Sequence, residues 1–199
     1  MDSNKTPKEN EHWDDIYQKI GRCVVLFQKI ELLFKYAVSR GCFSLVLSTN
    51  PSSISPIDQL KNNANTFSQK TMGCVGRIFC DRILTDNGYS PEGKELSKDE
   101  MRLNVSFNYG TNDRGAALKS KIESIITERN KVVHQLFNTL KFDTNDDFIN
   151  ANAYLDAIYN DTLTLYDEID SIAKSIPEAI KHIFSNSDCN LFQKYNKNI

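Results

Sequence analysis

Thr127-Glu128-Arg129-Asn130-Lys131-Val132-Val133-His134-Gln135-Leu136-Phe137 lies inside a run whose apolar spacing is helical from about Ala116 to Leu140. Leu118, Ile122, Ile125, Val132 and Leu136 form the apolar stripe, and Arg129 interrupts it between Ile125 and Val132. The stretch also gathers a neutral amide, Asn130, and a titratable imidazole, His134, within two turns of that arginine. A guanidinium is a planar fork suited to phosphate. An imidazole moves a proton near neutral pH. Together they point to phosphodiester chemistry that needs no metal.

Spacing constrains how these groups cooperate. Asn130 and His134 are four residues apart and share a face of an ideal helix. Arg129 and His134 are five apart and point about 140° away from one another at roughly 100° per residue. A single chain would struggle to aim both at one phosphate.

Outward from this helix, the remaining elements follow the same periodicity. A first helix spans about 12–40, its face formed by Ile16, Ile20, Val24, Phe27, Phe34 and Val38, with Gly41 available for a left-handed cap. Residues 43–47 suit a short strand. A second helix is expected from Ser55-Pro56, a capping serine followed by proline at the first position, to about Leu84. Gly73 and Gly76 within it permit close approach by a neighbour. After a polar loop, Met101, Leu103, Val105, Phe107 and Tyr109 alternate with polar residues, the period of a half-buried strand. Its partner is either 43–47 or the same segment of a second subunit. The third helix runs from about Thr111 to Leu140, and the fourth from Asp147 to Phe184, bent or split at Pro177.

The expected fold is all-α: an up-and-down four-helix bundle with a small loop and β-strand insertion between helices two and three, at about 86–110. Residues 12–184 form its single domain, flanked by a flexible N-terminus (1–11) and a flexible C-terminal tail (185–199). A chain of 199 residues suffices for one core. With a net charge of −2 it is not built to be wrapped in nucleic acid, although a local basic cleft could hold a few nucleotides. Lys119, Lys121, Lys131 and Lys141 lie near the motif helix and could draw RNA inward. Five cysteines without CxxC spacing read as reduced thiols of a cytoplasmic protein. No apolar run is long enough to span a bilayer, so no membrane association is expected. Three scattered histidines give no metal spacing, and no phosphate-binding glycine loop appears, so no cofactor is expected.

Glu31 interrupts the first helix's stripe as Arg129 interrupts the third's. Two such charges are best buried together, so contact between Glu31 and Arg129 is expected. Its role is either to orient the arginine for chemistry or simply to fix helix register. His134 has an equally plain alternative, a surface histidine on a helix.

Arg129-Asn130-Lys131-Val132-Val133-His134 resembles the Arg-polar-x-x-x-His signature of the HEPN superfamily, small helical domains of which many are metal-independent endoribonucleases of toxin–antitoxin and antiphage systems. The resemblance extends to the arrangement of helices over about 12–184. It implies a homodimer in which motifs of two chains face one another across a composite active site. His134 would take the proton from a ribose 2′-hydroxyl, and Arg129 would stabilise charge on the phosphate. Asn130 would hydrogen-bond the phosphate or the imidazole. The products would be 2′,3′-cyclic phosphate and 5′-hydroxyl ends. An antitoxin or activating partner is implied as well. The alternative is a non-catalytic helical dimer of the same frame that binds RNA, nucleotide or a protein. Some members carry a tyrosine shortly after the histidine; here Gln135, Leu136 and Phe137 follow.

Overall fold

The computed structural model describes residues 7–48, 54–85, 95–109 and 113–186. Helices dominate it. The elements in chain order are α1 (Pro7–Gly41), β1 (Cys42–Ser48), α2 (Pro56–Ser68), α3 (Met72–Arg82), β2 (Glu100–Ser106) and α4 (Asp113–Asn130). A single π-helical turn (Lys131–Gln135), the short α5 (Leu136–Thr139) and the long α6 (Asn145–Asn186) complete the chain. Residues 7–11, expected to be loose, belong to α1. Residues 1–6 and 187–199, and with them most of the expected flexible ends, lie outside the described residues.

Helix α1 is the central element and packs on α6, α3 and α2. Ile16, Cys23, Ile30, Phe34, Ala37 and Val38 are fully buried along its inner face. Contacts along each pair of helices fix their directions. Trp13 meets Phe148, Arg22 meets Tyr159, and Gly41 approaches Ile176, so α1 and α6 run parallel. Helix α4 runs against α6, pairing Glu128 with Tyr154 and Lys121 with Glu168. Helix α2 runs against α1, since Asn63 donates to the Ser39 carbonyl while Lys35 donates to that of Ser68.

The second expected helix is therefore a helical hairpin, broken at Gln69-Lys70-Thr71. The reason is packing. Phe67 and Met72 are 3% and 1% exposed, yet in one continuous helix residues five apart would point about 140° away from each other. Breaking the helix lets both side chains enter the same core. Helix α2 starts as its sequence requires, with the Ser55 hydroxyl oxygen accepting from the Asp58 amide at 3.2 Å and Pro56 at the first position. Thr144 and Asp147 cap α6 reciprocally, so that helix begins before the expected Asp147. Pro177 lies within α6 and does not split it.

The two strands pair antiparallel, with Phe43 opposite Val105 and Leu45 opposite Leu103. The partner of the alternating segment is thus residues 42–48 of the same chain. Phe43, Leu45 and Val105 form a small apolar cluster with Leu60, Leu103 and Ile180. Of the stretch read as an insertion, β2 packs in this way against α2 and α6; its residues 86–94 and 110 lie outside the described part.

Gly41 serves crowding rather than a left-handed cap. It is the last residue of α1, and a Cβ there would sit 2.9 Å from Ile83 Cδ1 and 3.3 Å from Ile176 Cδ1. Gly76 brings α3 against α4, where a Cβ would meet Ile126 Cδ1 at 2.9 Å and Phe34 Cε2 at 3.4 Å. At Gly73 the space is ordinary, 3.6 Å to Ile126. The four cysteines in the described region are free, and burial pushes the Cys23 and Cys80 thiols up to about 11. No described helix is long and apolar enough to cross a membrane.

The glycines make two opposite predictions for urea unfolding. Gly76→Leu should destabilise by about 1–3 kcal/mol through overpacking. Gly21 is exposed within α1 and a Cβ there would meet nothing within 4 Å, so Gly21→Ala should stabilise by about 0.5–1 kcal/mol.

A candidate active site on a widened helical turn

The motif residues fall where the third long helix changes its winding. Helix α4 ends at Asn130, Lys131–Gln135 form the π turn, and α5 resumes at Leu136. A π turn closes i→i+5 hydrogen bonds, so residues five apart come nearly above one another. Arg129 and His134 are five apart. Arg129 Nη1 accordingly lies 3.2 Å from His134 Nε2 and donates to Asn130 Oδ1 at 3.0 Å. The separation expected on an ideal α-helix does not occur. One chain brings arginine, amide and imidazole together, and the geometric need for a second chain disappears.

A guanidinium has donors and no acceptor, so His134 Nε2 must be the acceptor of that contact. The imidazole is then neutral, with its proton on Nδ1. In that form an imidazole can accept a proton, and its lone pair is aimed at the guanidinium. Val132 and Leu136, 4% and 3% exposed, anchor the turn in the core, while Asn130 and His134 face solvent and Arg129 is half-buried.

Glu31 is not part of this cluster. It pairs with Lys35, one turn along α1, at 2.7 Å, and Lys35 also donates to the Ser68 carbonyl at 2.9 Å. The carboxylate thereby helps tie α1 to the end of α2. The expectation of contact with Arg129 fails because each charge finds a nearer partner on its own helix, and neither is fully buried.

The acidic neighbour of Arg129 is Glu128. It accepts from Lys131 Nζ and from the Tyr154 hydroxyl, both at 2.7 Å. Burial works against its charged form, but these two hydrogen bonds outweigh it and hold the carboxyl below its ordinary value. Burial, then the bond to Glu128, pushes the Tyr154 phenol up. The network fastens the end of α4 to α6 beside the π turn. Neither Tyr154 nor Glu128 was given a role from sequence; a tyrosine among apolar positions of the last helix, with an acidic residue beside the motif arginine, was the available signal.

Of the four lysines near the motif, Lys131 is paired with Glu128 and Lys121 with Glu168. Among the described residues no group of three or more His, Cys, Asp or Glu could hold a metal. A shallow cleft of about 380 Å³ lies elsewhere, between α1 and α6 at Arg22, Val25, Lys29 and Tyr159; no motif residue lines it. No protein-family model, curated protein or solved structure matches the chain.

The Glu128–Tyr154 bond predicts a pH signature. The phenol's raised value means its contribution is complete below the ordinary 10.0 and is lost as pH rises beyond it. The carboxyl's lowered value means its contribution is present above the ordinary 4.5 and is lost as pH falls below it. Tyr154→Phe should cost about 1.5–3 kcal/mol near neutrality, as for a hydrogen bond to a charged group, and should remove the alkaline loss. Denaturant titrations across pH would measure both.

Proposed function

We propose that this chain is a metal-independent endoribonuclease of the HEPN type, acting as a toxin or defence effector. The α2–α3 hairpin would stand where the family's bundle has its second helix. The observation that carries the reading is the 3.2 Å contact between Arg129 Nη1 and His134 Nε2, with Asn130 bound to the same guanidinium nitrogen. A proton acceptor and a phosphate-binding cation occupy one point on the surface, on a kind of helical distortion that recurs at functional sites.

The chemistry follows from these groups. Substrate phosphate draws the Arg129 guanidinium toward its non-bridging oxygens and frees the Nε2 lone pair. His134 Nε2 then takes the proton of the ribose 2′-hydroxyl. The 2′ oxygen attacks phosphorus, the bond to the 5′ oxygen breaks, and the leaving oxygen takes a proton from solvent. The imidazolium returns its proton to water. Products are a 2′,3′-cyclic phosphate and a 5′-hydroxyl, and DNA is no substrate because it lacks the attacking group. Arg129 stabilises the charge that builds on the phosphate. Asn130 holds the guanidinium through its carbonyl oxygen and leaves its NH₂ to the phosphate. A homodimer and an antitoxin or activating partner belong to the same proposal and rest on the resemblance alone; a cytoplasmic setting belongs to it too and rests on the reading of the cysteines as reduced thiols.

Purified protein with EDTA and single-stranded RNA tests the activity. Wild type should cleave to cyclic-phosphate ends, and His134→Ala should be slower by about 10²–10⁴-fold, the usual worth of a general base. Arg129→Ala should fall at least as far, while Glu31→Gln should cut like wild type. Expression should arrest growth, and either motif substitution should relieve it. A folded protein that binds RNA without cutting it would favour the non-catalytic reading.

A further inference from the structure

Helix α1 keeps one face turned away from the bundle. Glu11, Asp14, Gln18, Gly21, Leu32 and Tyr36 all lie within about 40° of Val25 at roughly 100° per residue, so they form one outward stripe. Its middle is apolar and exposed: Val25 at 52%, Leu32 at 64% and Tyr36 at 40%. Val25 and Leu32 are seven residues apart, the repeat of a seam between two helices. Gly21 is a notch in that seam, where a Cβ would meet nothing within 4 Å, and it opens into the cleft of about 380 Å³ beside Val25. Charge is ordered along the same stripe. Exposed carboxylates, Glu11, Asp14 and Asp15, occupy its first turns, and exposed Arg40 its last. Arg22 and Lys29 stand to the α6 side, where Arg22 Cζ lies 4.3 Å from the centre of the Tyr159 ring.

We infer that this stripe packs against the same stripe of a second copy, with the two α1 helices antiparallel. One alignment satisfies the apolar and the charged positions together. Leu32 of each copy enters the notch at the other's Gly21, Tyr36 covers the other's Gln18, and Asp14 meets the other's Arg40. The contact is isologous, so each of these pairs occurs twice. A parallel pairing would set Asp14 on Asp14 and Arg40 on Arg40, and like charges face to face oppose association. The order of charges therefore names the occupant, because a stripe that runs from acid to base is matched along its length by its own reverse. The inference stands on the shape and charge of α1, whether or not the chain cuts RNA. It also differs from the dimer that the resemblance implies, in which motifs of two chains face one another. Trp13, whose ring meets Phe137 beyond the motif turn, lies about 120° from Val25 around the helix, and no motif residue lines the cleft. Each copy keeps its own Arg129–His134 pair outside the contact.

Sedimentation velocity of the full chain over a concentration series tests the pairing. Wild type should reach twice the mass of one chain as concentration rises. Leu32→Glu should weaken the dimer by about 100-fold or more, as for a central apolar anchor. Gly21→Gln, which fills the notch with a good helix former, should weaken it too. Asp14→Arg and Arg40→Glu should each weaken it by about 10-fold or more through like charges set together. The double variant Asp14→Arg, Arg40→Glu should restore it, because the reversed charges meet again across the antiparallel seam. These positions are all exposed, so the variants should fold, which circular dichroism would check. His134→Ala and Arg129→Ala chains, when mixed, should not restore cleavage to one another. A wild type that stays monomeric at every concentration would overturn the pairing, as would a dimer indifferent to Leu32→Glu or a double charge variant no tighter than the single ones. Dimerisation without any cleavage by wild type would uphold the pairing and sink the nuclease reading. Restored cleavage on mixing would uphold the nuclease, show a site shared between chains and overturn the pairing.

Discussion

Val132 and Leu136 both enter the core, and between Asn130 and Leu136 the helix takes a π turn that winds in one extra residue. Everything about the candidate site depends on that winding. It carries His134 around to Arg129, leaves both groups reachable from solvent, and keeps the turn anchored from below by two buried side chains. The Glu128–Tyr154 bond then fixes the preceding end of α4 to α6, so the arginine approaches from a backbone that is held.

The same stretch shows how far periodicity carries. The apolar stripes of the first and third helices marked inward faces correctly: Ile16, Phe27, Phe34, Val38, Ile122 and Ile125 all lie in the core. Ser55-Pro56 marked the start of α2, and the alternation at 101–109 marked β2. These signals are local, and local rules suffice for them. What failed to show was tertiary. A break at 69–71 is favourable only because Phe67 and Met72 meet a common core, which spacing within one helix cannot reveal. The π turn is invisible for a related reason, since Ile125, Val132 and Leu136 keep steps that fit an ordinary helix.

Two expectations about charge illustrate the limit further. Arg129 and Glu31 both interrupt apolar stripes, and pairing them was the economical solution for two buried ions. In the fold neither is fully buried, so each is satisfied close by: Glu31 with Lys35, Arg129 with Asn130 and His134. The motif residues were legible as types and positions, but their contact was not. The aromatic cluster around Trp13 was hidden in the same way, because Trp13 and Phe137 are far apart in sequence and become neighbours only when α1 passes the turn.

The central claim is that Arg129 and His134 meet within one chain, and the imidazole tautomer tests it most directly. Nitrogen-15 NMR of the three histidines at about pH 8, where an unperturbed imidazole is neutral, would assign the protonated nitrogen of each. The account predicts that His134 carries its proton on Nδ1 in the wild type, because Nε2 accepts from Arg129, and that Arg129→Ala returns it toward the Nε2-protonated form. A wild-type His134 protonated on Nε2, unchanged by Arg129→Ala, would contradict it.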